Sequence, residues 1–335
     1  MKLLKKNKIQ IIAEMACSHN GRVQRAKKIA DAAAQSGADI IQLQIWELQY
    51  LMSPKRSEFN DLKKIELTKD EWISIVKYIK SKYPKLKIYV CIYEHMSIDF
   101  IKSLKIHGLK INSSDLSNPL VLKLASTLKL PINLSVGASS LPEIKSALKI
   151  LKTKKNKINL MYGQQNFPTK VKDINLITLP KLLKYFKKNI GYQDHCDGKS
   201  SEGFLLPSMS IALGAKIIEK HLTLDRNRNG FDYESALLPN EFKKFVNLMQ
   251  SVSTSLGKSL PRKFSKSEED YRKFQKKSIV ANKNLNKMRK LRTGDITFLR
   301  SPNIGIQPID LKKILGKKLK KNINKYSTIL FKDLY

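Results

Sequence analysis

Short apolar runs alternate with amphipathic stretches over about the first 250 residues of the chain. The apolar runs predict strands at residues 9–14, 40–45, 88–92, 109–111, 132–136, 158–161, 190–193 and 216–219. The stretches between them predict helices at 25–36, from a cap at Thr68 onward, and at 98–106, 119–128, 141–152, 176–187, 203–213 and 239–256. Eight such strand–helix units predict a (β/α)8 barrel. An open, doubly wound sheet is the alternative, but no glycine-rich dinucleotide loop follows the first strand.

The pattern changes after Gly257, so residues 1–257 are assigned to the barrel. Residues 258–273 are polar and charged and contain Pro261, which predicts a linker. Between 274 and 335, short β-like pieces at 278–281, 295–299, 304–306 and 328–331 predict a small β-rich domain. A domain of about 60 residues is too small to bind a large substrate alone. We therefore expect it to cover a barrel mouth, in its own or in a partner subunit.

The composition excludes a disordered chain, because 41% of the 335 residues are hydrophobic. Three cysteines in this length predict neither a disulfide framework nor a cysteine metal site. The apolar run at residues 9–16 is interrupted by Gln10 and Glu14, and it is too short for a signal peptide or a membrane span. We therefore expect a cytoplasmic protein.

The formal net charge is +36, from 64 Lys and Arg residues against 28 Asp and Glu residues. Nucleic-acid binding is one interpretation of this charge. We favour a lysine-rich composition spread over solvated faces, because the chain carries no helix-turn-helix, zinc-finger or RNA-binding sheet signature. The charge is still expected to attract small anionic molecules.

Two histidines, His195 and His221, follow apolar runs in neighbouring strand–helix units. A parallel barrel carries its chemistry at the carboxyl ends of its strands, so the two imidazoles are expected to lie close together. Acidic residues lie near them in sequence, namely Asp194, Glu219 and Asp232. This set predicts a divalent-metal site, with two purely structural histidines as the alternative interpretation.

Further polar residues follow other predicted strands. Lys110 and Ser135, the latter beside Gly137, suit a phosphate or carboxylate, although a solvated lysine and a turn-capping serine are the simpler alternatives. Glu14 closes the first strand and is suited to orienting a hydroxyl or to transferring a proton. Its alternative role is an ion pair with a lysine at a strand end.

Together these segments resemble the sialic acid synthase family, the phosphoenolpyruvate-condensing enzymes that make N-acetylneuraminate, legionaminate and pseudaminate. The likeness extends over nearly the whole chain. The segments that carry it are 11–14 (IIAE) with 18–21 (SHNG), 191–195 (GYQDH), 219–225 (EKHLTLD), 230–236 (GFDYESA), 278–281 (SIVA) and 300–305 (RSPNIG). The last two segments are similar to the family's antifreeze-like (SAF) domain.

The resemblance implies a (β/α)8 TIM barrel followed by an SAF domain, in a domain-swapped homodimer. It also implies a divalent metal, Mn²⁺ foremost with Mg²⁺ or Co²⁺ as alternatives, held by His195 and His221. Phosphoenolpyruvate would condense with an N-acylated amino sugar to give a nonulosonic acid and phosphate. The implied catalytic residues are Glu14, His195 and His221; those for phosphoenolpyruvate are Lys110, Ser113, Ser135 and Gln42; those for the sugar are Gln44, Asp232 and Arg300, the last reaching the partner's barrel.

The chain departs from the family pattern mainly around the anion pocket. Gln42 stands where the family usually has lysine, and Gln193 stands where it usually has serine. The third strand ends in Cys91-Ile-Tyr-Glu94 instead of a Ser/Thr-Pro-Phe turn, and Tyr162-Gly163 replaces a His-Cys element. Two alternative functions follow: a metal-dependent barrel lyase or aldolase that uses a different acid, and a non-catalytic carbohydrate-binding relative.

Overall fold

The computed structural model describes residues 9–151, 157–226, 230–257 and 261–335. The chain divides into two compact units, Met1–Lys258 and Ser259–Tyr335. The predicted helix end at residue 152 and the first residues of the predicted linker, 258–260, lie outside the described residues.

The first unit contains eight parallel strands that pair in chain order and close by pairing of the first strand with the last. The predicted (β/α)8 barrel is therefore confirmed. The strands are β1 (Gln10–Glu14), β2 (Ile40–Ile45), β3 (Lys87–Ile92), β4 (Gly108–Ile111), β5 (Ile132–Ser135), β6 (Ile158–Tyr162), β7 (Asn189–Asp194) and β8 (Ile217–His221).

Helices connect the strands and cover the outside of the barrel. They are α1 (Val23–Gln35), α2 (Leu48–Leu51), α3 (Phe59–Lys63), α4 (Lys69–Lys82), α5 (Ile98–Ser103), α6 (Pro119–Thr127), α7 (Leu141–Ile150), α8 (Thr178–Phe186), α9 (Glu202–Ala212) and α10 (Pro239–Ser255). The short helices α2 and α3, in the connection from β2 to α4, have no counterpart among the predicted elements.

The start of α4 shows how local sequence sets an element. The Thr68 hydroxyl accepts a hydrogen bond from the Glu71 amide at 3.3 Å, and the Glu71 carboxylate accepts one from the Thr68 amide at 2.8 Å. This reciprocal capping satisfies two amides that a helix start leaves unpaired. The apolar positions of α4 then fall on one buried face, formed by Trp72, Ile75, Val76 and Ile79.

Inside the barrel, an apolar layer lies at the amino-terminal side of the strands. It contains Ile12, Ile40, Tyr89, Met161 and Ile217. A Cβ atom at Gly108 would lie 2.3 Å from the Tyr89 ring, so glycine is required there for the ring to fill the barrel. This layer closes the interior below the polar side chains that follow on the same strands.

The second unit contains α11 (Lys266–Gln275), the antiparallel strands β9 (Ser278–Ala281) and β10 (Ile296–Leu299), and α12 (Leu311–Ile314). The predicted pieces at 304–306 and 328–331 are not regular strands. They still pair locally, since the Ile279 amide donates to the Ile306 carbonyl at 2.8 Å and the Ile329 amide donates to the Ile279 carbonyl at 3.0 Å. Most of helix α11 lies in the segment 258–273, for which we expected a linker.

Among the helices of the described residues, none is long and apolar enough to cross a membrane.

Candidate active site

A layer of buried polar side chains lies above the apolar layer of the barrel. Its members come from six strands: Glu14, Gln42, Lys110, Ser135, Gln193 and Glu219. They contact each other across the interior rather than along single strands, so the barrel brings together residues that are far apart in the sequence. Gln42 donates a hydrogen bond to the Glu14 carboxylate, whose second oxygen accepts one from the Ala16 amide at 2.8 Å.

The charged centre of this layer is the ion pair between Lys110 and Glu219, which reach each other from β4 and β8. Burial opposes the charge of Lys110, but the carboxylates of Glu219 and Glu14 outweigh it and raise the pKa of the lysine. Burial also raises the pKa of Glu14 to about 7, more than the charge of Lys110 lowers it. Lys110 therefore stays cationic, and Glu14 can exchange a proton near neutral pH.

The predicted anion-binding serines form a short chain with Gln193. The Ser113 and Ser135 hydroxyls lie 2.7 Å apart, and the Gln193 amide nitrogen donates to the Ser135 hydroxyl at 2.8 Å. Gln193 packs directly over Gly163, where a Cβ atom would lie 2.1 Å from the Gln193 carbonyl oxygen. The two departures Gly163 and Gln193 are thus spatial neighbours, which their positions in the sequence do not show.

Several polar atoms of this layer have no hydrogen-bond partner within the described part of the chain: Gln42 Oε1, Gln193 Oε1 and Glu219 Oε2. All three are acceptors on side chains that are at most 1% exposed. A buried polar group left unpaired costs roughly 1–3 kcal/mol. The layer therefore has unused capacity for a ligand that supplies hydrogen-bond donors or positive charge.

His195 and His221 lie above this layer, with ring centroids 5.4 Å apart, and each is 4% exposed. Burial lowers the pKa of His195 to about 4 and that of His221 well below its ordinary value, so both imidazoles are neutral at pH 7. The Nδ1 atom of His195 is hydrogen-bonded to the Gln164 carbonyl oxygen. Nδ1 is therefore the protonated nitrogen, and the Nε2 lone pair remains available to a metal.

The described residues contain no group of three or more His, Cys, Asp or Glu side chains placed to hold a metal. A metal at the two imidazoles would therefore take its remaining ligands from water or substrate. The Cys196 thiol is not a candidate ligand, because it is hydrogen-bonded to Asp194 on the outer side of the strand.

The ring of Phe167 lies beside the histidines, with its centroid 4.3 Å from that of His195 and 5.9 Å from that of His221. It is 41% exposed, so it forms part of the accessible edge of the site. Nothing in the pattern of the sequence marks this position, since its role depends on how the loop after β6 folds over β7 and β8.

The residues expected to bind the sugar differ in their surroundings. Asp232 has a left-handed backbone (φ 65°), and burial raises its pKa to about 6. Burial raises the pKa of the Cys17 thiol and the Asp232 carboxylate raises it further, so Asp232 lies close to the residues that follow the first strand. Gln44 follows Gln42 on the same face of β2 and is partly exposed, whereas Arg300 is exposed in the second unit.

Glu94, the acidic residue that departs from the family pattern after the third strand, is hydrogen-bonded to a residue close to it in the sequence. Its carboxylate accepts hydrogen bonds from the amide and the hydroxyl of Ser97 at the start of α5, with the amide at 3.0 Å. This departure from the family pattern therefore supports a helix start.

Comparison with known families agrees with this fold. The model of the NeuB family matches residues 29–260, and that of the SAF domain matches residues 276–334. The fold therefore defines the class of protein, a closed (β/α)8 barrel followed by an SAF domain. The chain belongs to the NeuB family, as a divergent member, and the resemblance stated from the sequence is confirmed.

Similar proteins cover almost the whole chain. An uncharacterized protein of Methanocaldococcus jannaschii, MJ1065, is 34% identical over 97% of this chain and 94% of its own length. The N,N'-diacetyllegionaminic acid synthase of Campylobacter jejuni is 30% identical, over 94% of this chain and 97% of its own. The structure of the N-acetylneuraminic acid synthetase of Leptospira borgpetersenii in complex with citrate has a TM-score of 0.73 at 29% identity, covering 81% of this chain and 95% of that one.

Proposed function

We propose that the protein condenses phosphoenolpyruvate with an N-acylated amino sugar in a metal-dependent reaction that gives a nonulosonic acid and phosphate. The observation that carries the proposal is the pair of neutral imidazoles, 5.4 Å apart, above the layer that contains Lys110, Glu219 and Glu14. A cationic group and a carboxyl of pKa about 7 lie beneath the two histidines. The similar synthases of legionaminic acid and N-acetylneuraminic acid support it.

The residues fit a divalent metal because both imidazoles are neutral and His195 presents its Nε2 lone pair. A metal of the Mn²⁺ class suits imidazole ligands, with Mg²⁺ and Co²⁺ as alternatives to be compared. When bound, it polarises the aldehyde of the open-chain sugar. The ring of Phe167 lies against both imidazoles, which are each only 4% exposed.

The anion-binding residues would act on phosphoenolpyruvate. Lys110 would supply the positive charge, and Ser113 and Ser135 would supply hydroxyls. The Gln42 amide nitrogen, which already donates to Glu14, would supply a neutral donor. In the reaction, carbon 3 of phosphoenolpyruvate bonds to the aldehyde carbon, and the aldehyde oxygen becomes a hydroxyl by taking a proton. Water adds at carbon 2, and phosphate leaves as the C2–O bond breaks. We assign the proton to the Glu14 carboxyl, which is buried in the same layer.

The sugar would contact the outer rim of the site. Gln44 lies on the same strand face as Gln42, and Asp232 lies near Cys17 after the first strand, so we assign hydrogen bonds with sugar hydroxyls to both side chains. We propose that Arg300, exposed in the second unit, serves the sugar site of a partner subunit in a domain-swapped homodimer. Light scattering, with activity rescue on mixing Arg300→Ala and Glu14→Gln variants, tests this arrangement, because each heterodimer would restore one complete site.

A second candidate function is a metal-dependent aldolase or lyase that uses a different acid in place of phosphoenolpyruvate. The layer contains one lysine against the carboxyls of Glu14 and Glu219, and a glutamine occupies the place of the family's second cation. A site with so little positive charge is suited to a singly charged 2-oxo acid in an aldolase or lyase reaction. A decayed, purely sugar-binding site is a third outcome of the same test.

The decisive experiment measures phosphate release from phosphoenolpyruvate with a panel of N-acylated hexosamines in the presence of Mn²⁺. We expect turnover with at least one sugar, its loss on chelation and its return with added metal. His195→Ala is the matched control for background hydrolysis, and Glu14→Gln is expected to lower kcat by about 10²–10⁴-fold. Turnover of a phosphate-free 2-oxo acid instead would favour the second candidate function. Sugar binding without any turnover would exclude both enzymatic functions.

A further inference from the structure

Asp194 and Lys220 immediately precede the two histidines and form an ion pair on the outer face of the barrel. They are direct register partners on β7 and β8. Because side chains alternate across a strand, they point away from the interior, toward the covering helix α9. The Lys220 ammonium lies 2.6 Å from Asp194 Oδ2, and both side chains are 0% exposed.

The ammonium of Lys220 binds both sides of His195. It contacts the Asp194 carboxylate, one residue before His195, and donates to the Cys196 carbonyl at 3.0 Å, one residue after it. Lys220 is itself bonded to His221 through the peptide chain. A single buried charge therefore connects a side chain before His195 and a backbone carbonyl after it with the residue that precedes His221.

The pair is further fixed by its surroundings. The Tyr192 hydroxyl donates to Asp194 Oδ1 at 3.1 Å. A Cβ atom at Gly203, in the first turn of α9, would lie 3.3 Å from the Lys220 ammonium, so α9 packs closely over the pair. The Asp194 carboxylate and the Lys220 ammonium consequently have little freedom to move.

Fold stability alone does not explain a fully buried ion pair. Removing two charges from water costs free energy that their attraction often only balances, and apolar side chains of similar volume frequently serve as well or better. An ion pair with further hydrogen bonds does fix local geometry, because it holds its partners at defined distances and angles. Because the pair lies directly behind the two histidines, we infer that these defined distances and angles fix the positions of the histidines.

We propose that Asp194 and Lys220 are positioning residues that hold the imidazoles of His195 and His221 at the separation a metal requires. The inference rests on the metal site of the proposed function. It differs from that proposal because it concerns how two side chains on the outer face of the barrel set the geometry of ligands on the inner face.

The test replaces the ion pair by an apolar pair in the double variant Asp194→Leu/Lys220→Met of the full chain. Mn²⁺ affinity is measured from the electron paramagnetic resonance signal of free Mn²⁺, and ligand geometry from the visible absorption of bound Co²⁺. We expect a folded protein with a melting temperature near that of the wild type, Mn²⁺ affinity weakened roughly 10–100-fold and a changed Co²⁺ spectrum. The single variant Lys220→Met leaves a buried carboxylate unpaired and serves only as a stability comparison.

Lys80→Met is the matched control. The ammonium of Lys80 also binds backbone carbonyls, those of Leu104 at 2.7 Å and Lys105 at 2.9 Å, but at the other end of the barrel, ahead of β4. This variant is expected to keep wild-type metal affinity. A folded double variant with wild-type Mn²⁺ affinity and Co²⁺ spectrum would overturn the positioning role alone, whereas a wild-type protein that binds neither metal would overturn the proposed function.

Discussion

Lys110 and Glu219 pair across the closed barrel although 109 positions separate them in the chain. Lys110 comes from β4 and Glu219 from β8, strands on opposite sides of an eight-stranded barrel. The contact places a cation at the centre of the polar layer and leaves one Glu219 oxygen without a partner among the described residues. A ligand that enters this layer must therefore share or displace an existing ion pair.

Loss of the lysine should destabilise the barrel. Lys110→Met leaves the Glu219 carboxylate buried at 1% exposure without its counter-charge. Breaking one side of a buried pair costs about 3–5 kcal/mol, which we expect in denaturant unfolding followed by fluorescence of Trp46 and Trp72. Lys64→Met is the control, because Lys64 and its partner Asp61 are exposed and such pairs contribute about 0–1 kcal/mol. Equal losses in the two variants would contradict this account.

The close packing of Gly163 gives a second prediction. A Cβ atom there would meet the Gln193 carbonyl at 2.1 Å, and that backbone oxygen cannot rotate away. Gly163→Ala should therefore cost about 1–3 kcal/mol and lower the calorimetric melting temperature of the full chain. At Gly294 an added Cβ meets no atom within 4 Å, so Gly294→Ala should change stability by less than about 0.5 kcal/mol. An unchanged melting temperature of the Gly163→Ala variant would contradict this prediction and would show that β7 can shift to accept the added methyl group.

Restoring a cation at position 42 should strengthen binding of phosphoenolpyruvate. A charged hydrogen bond contributes about 1.5–3 kcal/mol, so Gln42→Lys is expected to lower the KM for phosphoenolpyruvate roughly 10- to 150-fold. The KM for the sugar is the internal control and should change much less. An unchanged or higher KM for phosphoenolpyruvate would mean that Gln42 does not contact this substrate.

Acid should selectively loosen the second unit through Asp295. The hydrogen bonds from Arg289, at 2.7 and 3.0 Å, lower the pKa of Asp295 from 3.8 to about 2. Because the folded pKa is the lower one, this stabilisation is complete above about pH 4 and is lost as the pH falls toward 2. Hydrogen exchange of peptides covering β9 and β10 should therefore separate wild type from Asp295→Asn at pH 5 and converge at the lowest pH. A constant difference would exclude this linkage.

The elements themselves follow from local sequence. The cap at Thr68, the apolar face of α4 and the short apolar runs each act within a few residues, so their positions were predictable to within a few residues. The strand prediction was least accurate at residues 304–306 and 328–331. These residues form isolated backbone hydrogen bonds with neighbouring segments but no regular strands. Helix α11 was missed because its residues are mostly polar and none of them is buried, although Ser265 and Glu268 form a capping box there.

By itself, the sequence determined the order of the eight barrel strands and of the main helices between them, the closed barrel class and the two histidines, because periodicity, caps and motifs are local properties. Only the tertiary structure decided which polar side chains meet. Barrel closure pairs Lys110 with Glu219, the absence of a side chain at Gly163 admits Gln193, and the register of β7 with β8 places Lys220 behind both histidines. These contacts join distant segments whose distances depend on the packing of the whole barrel, and no local pattern encodes them.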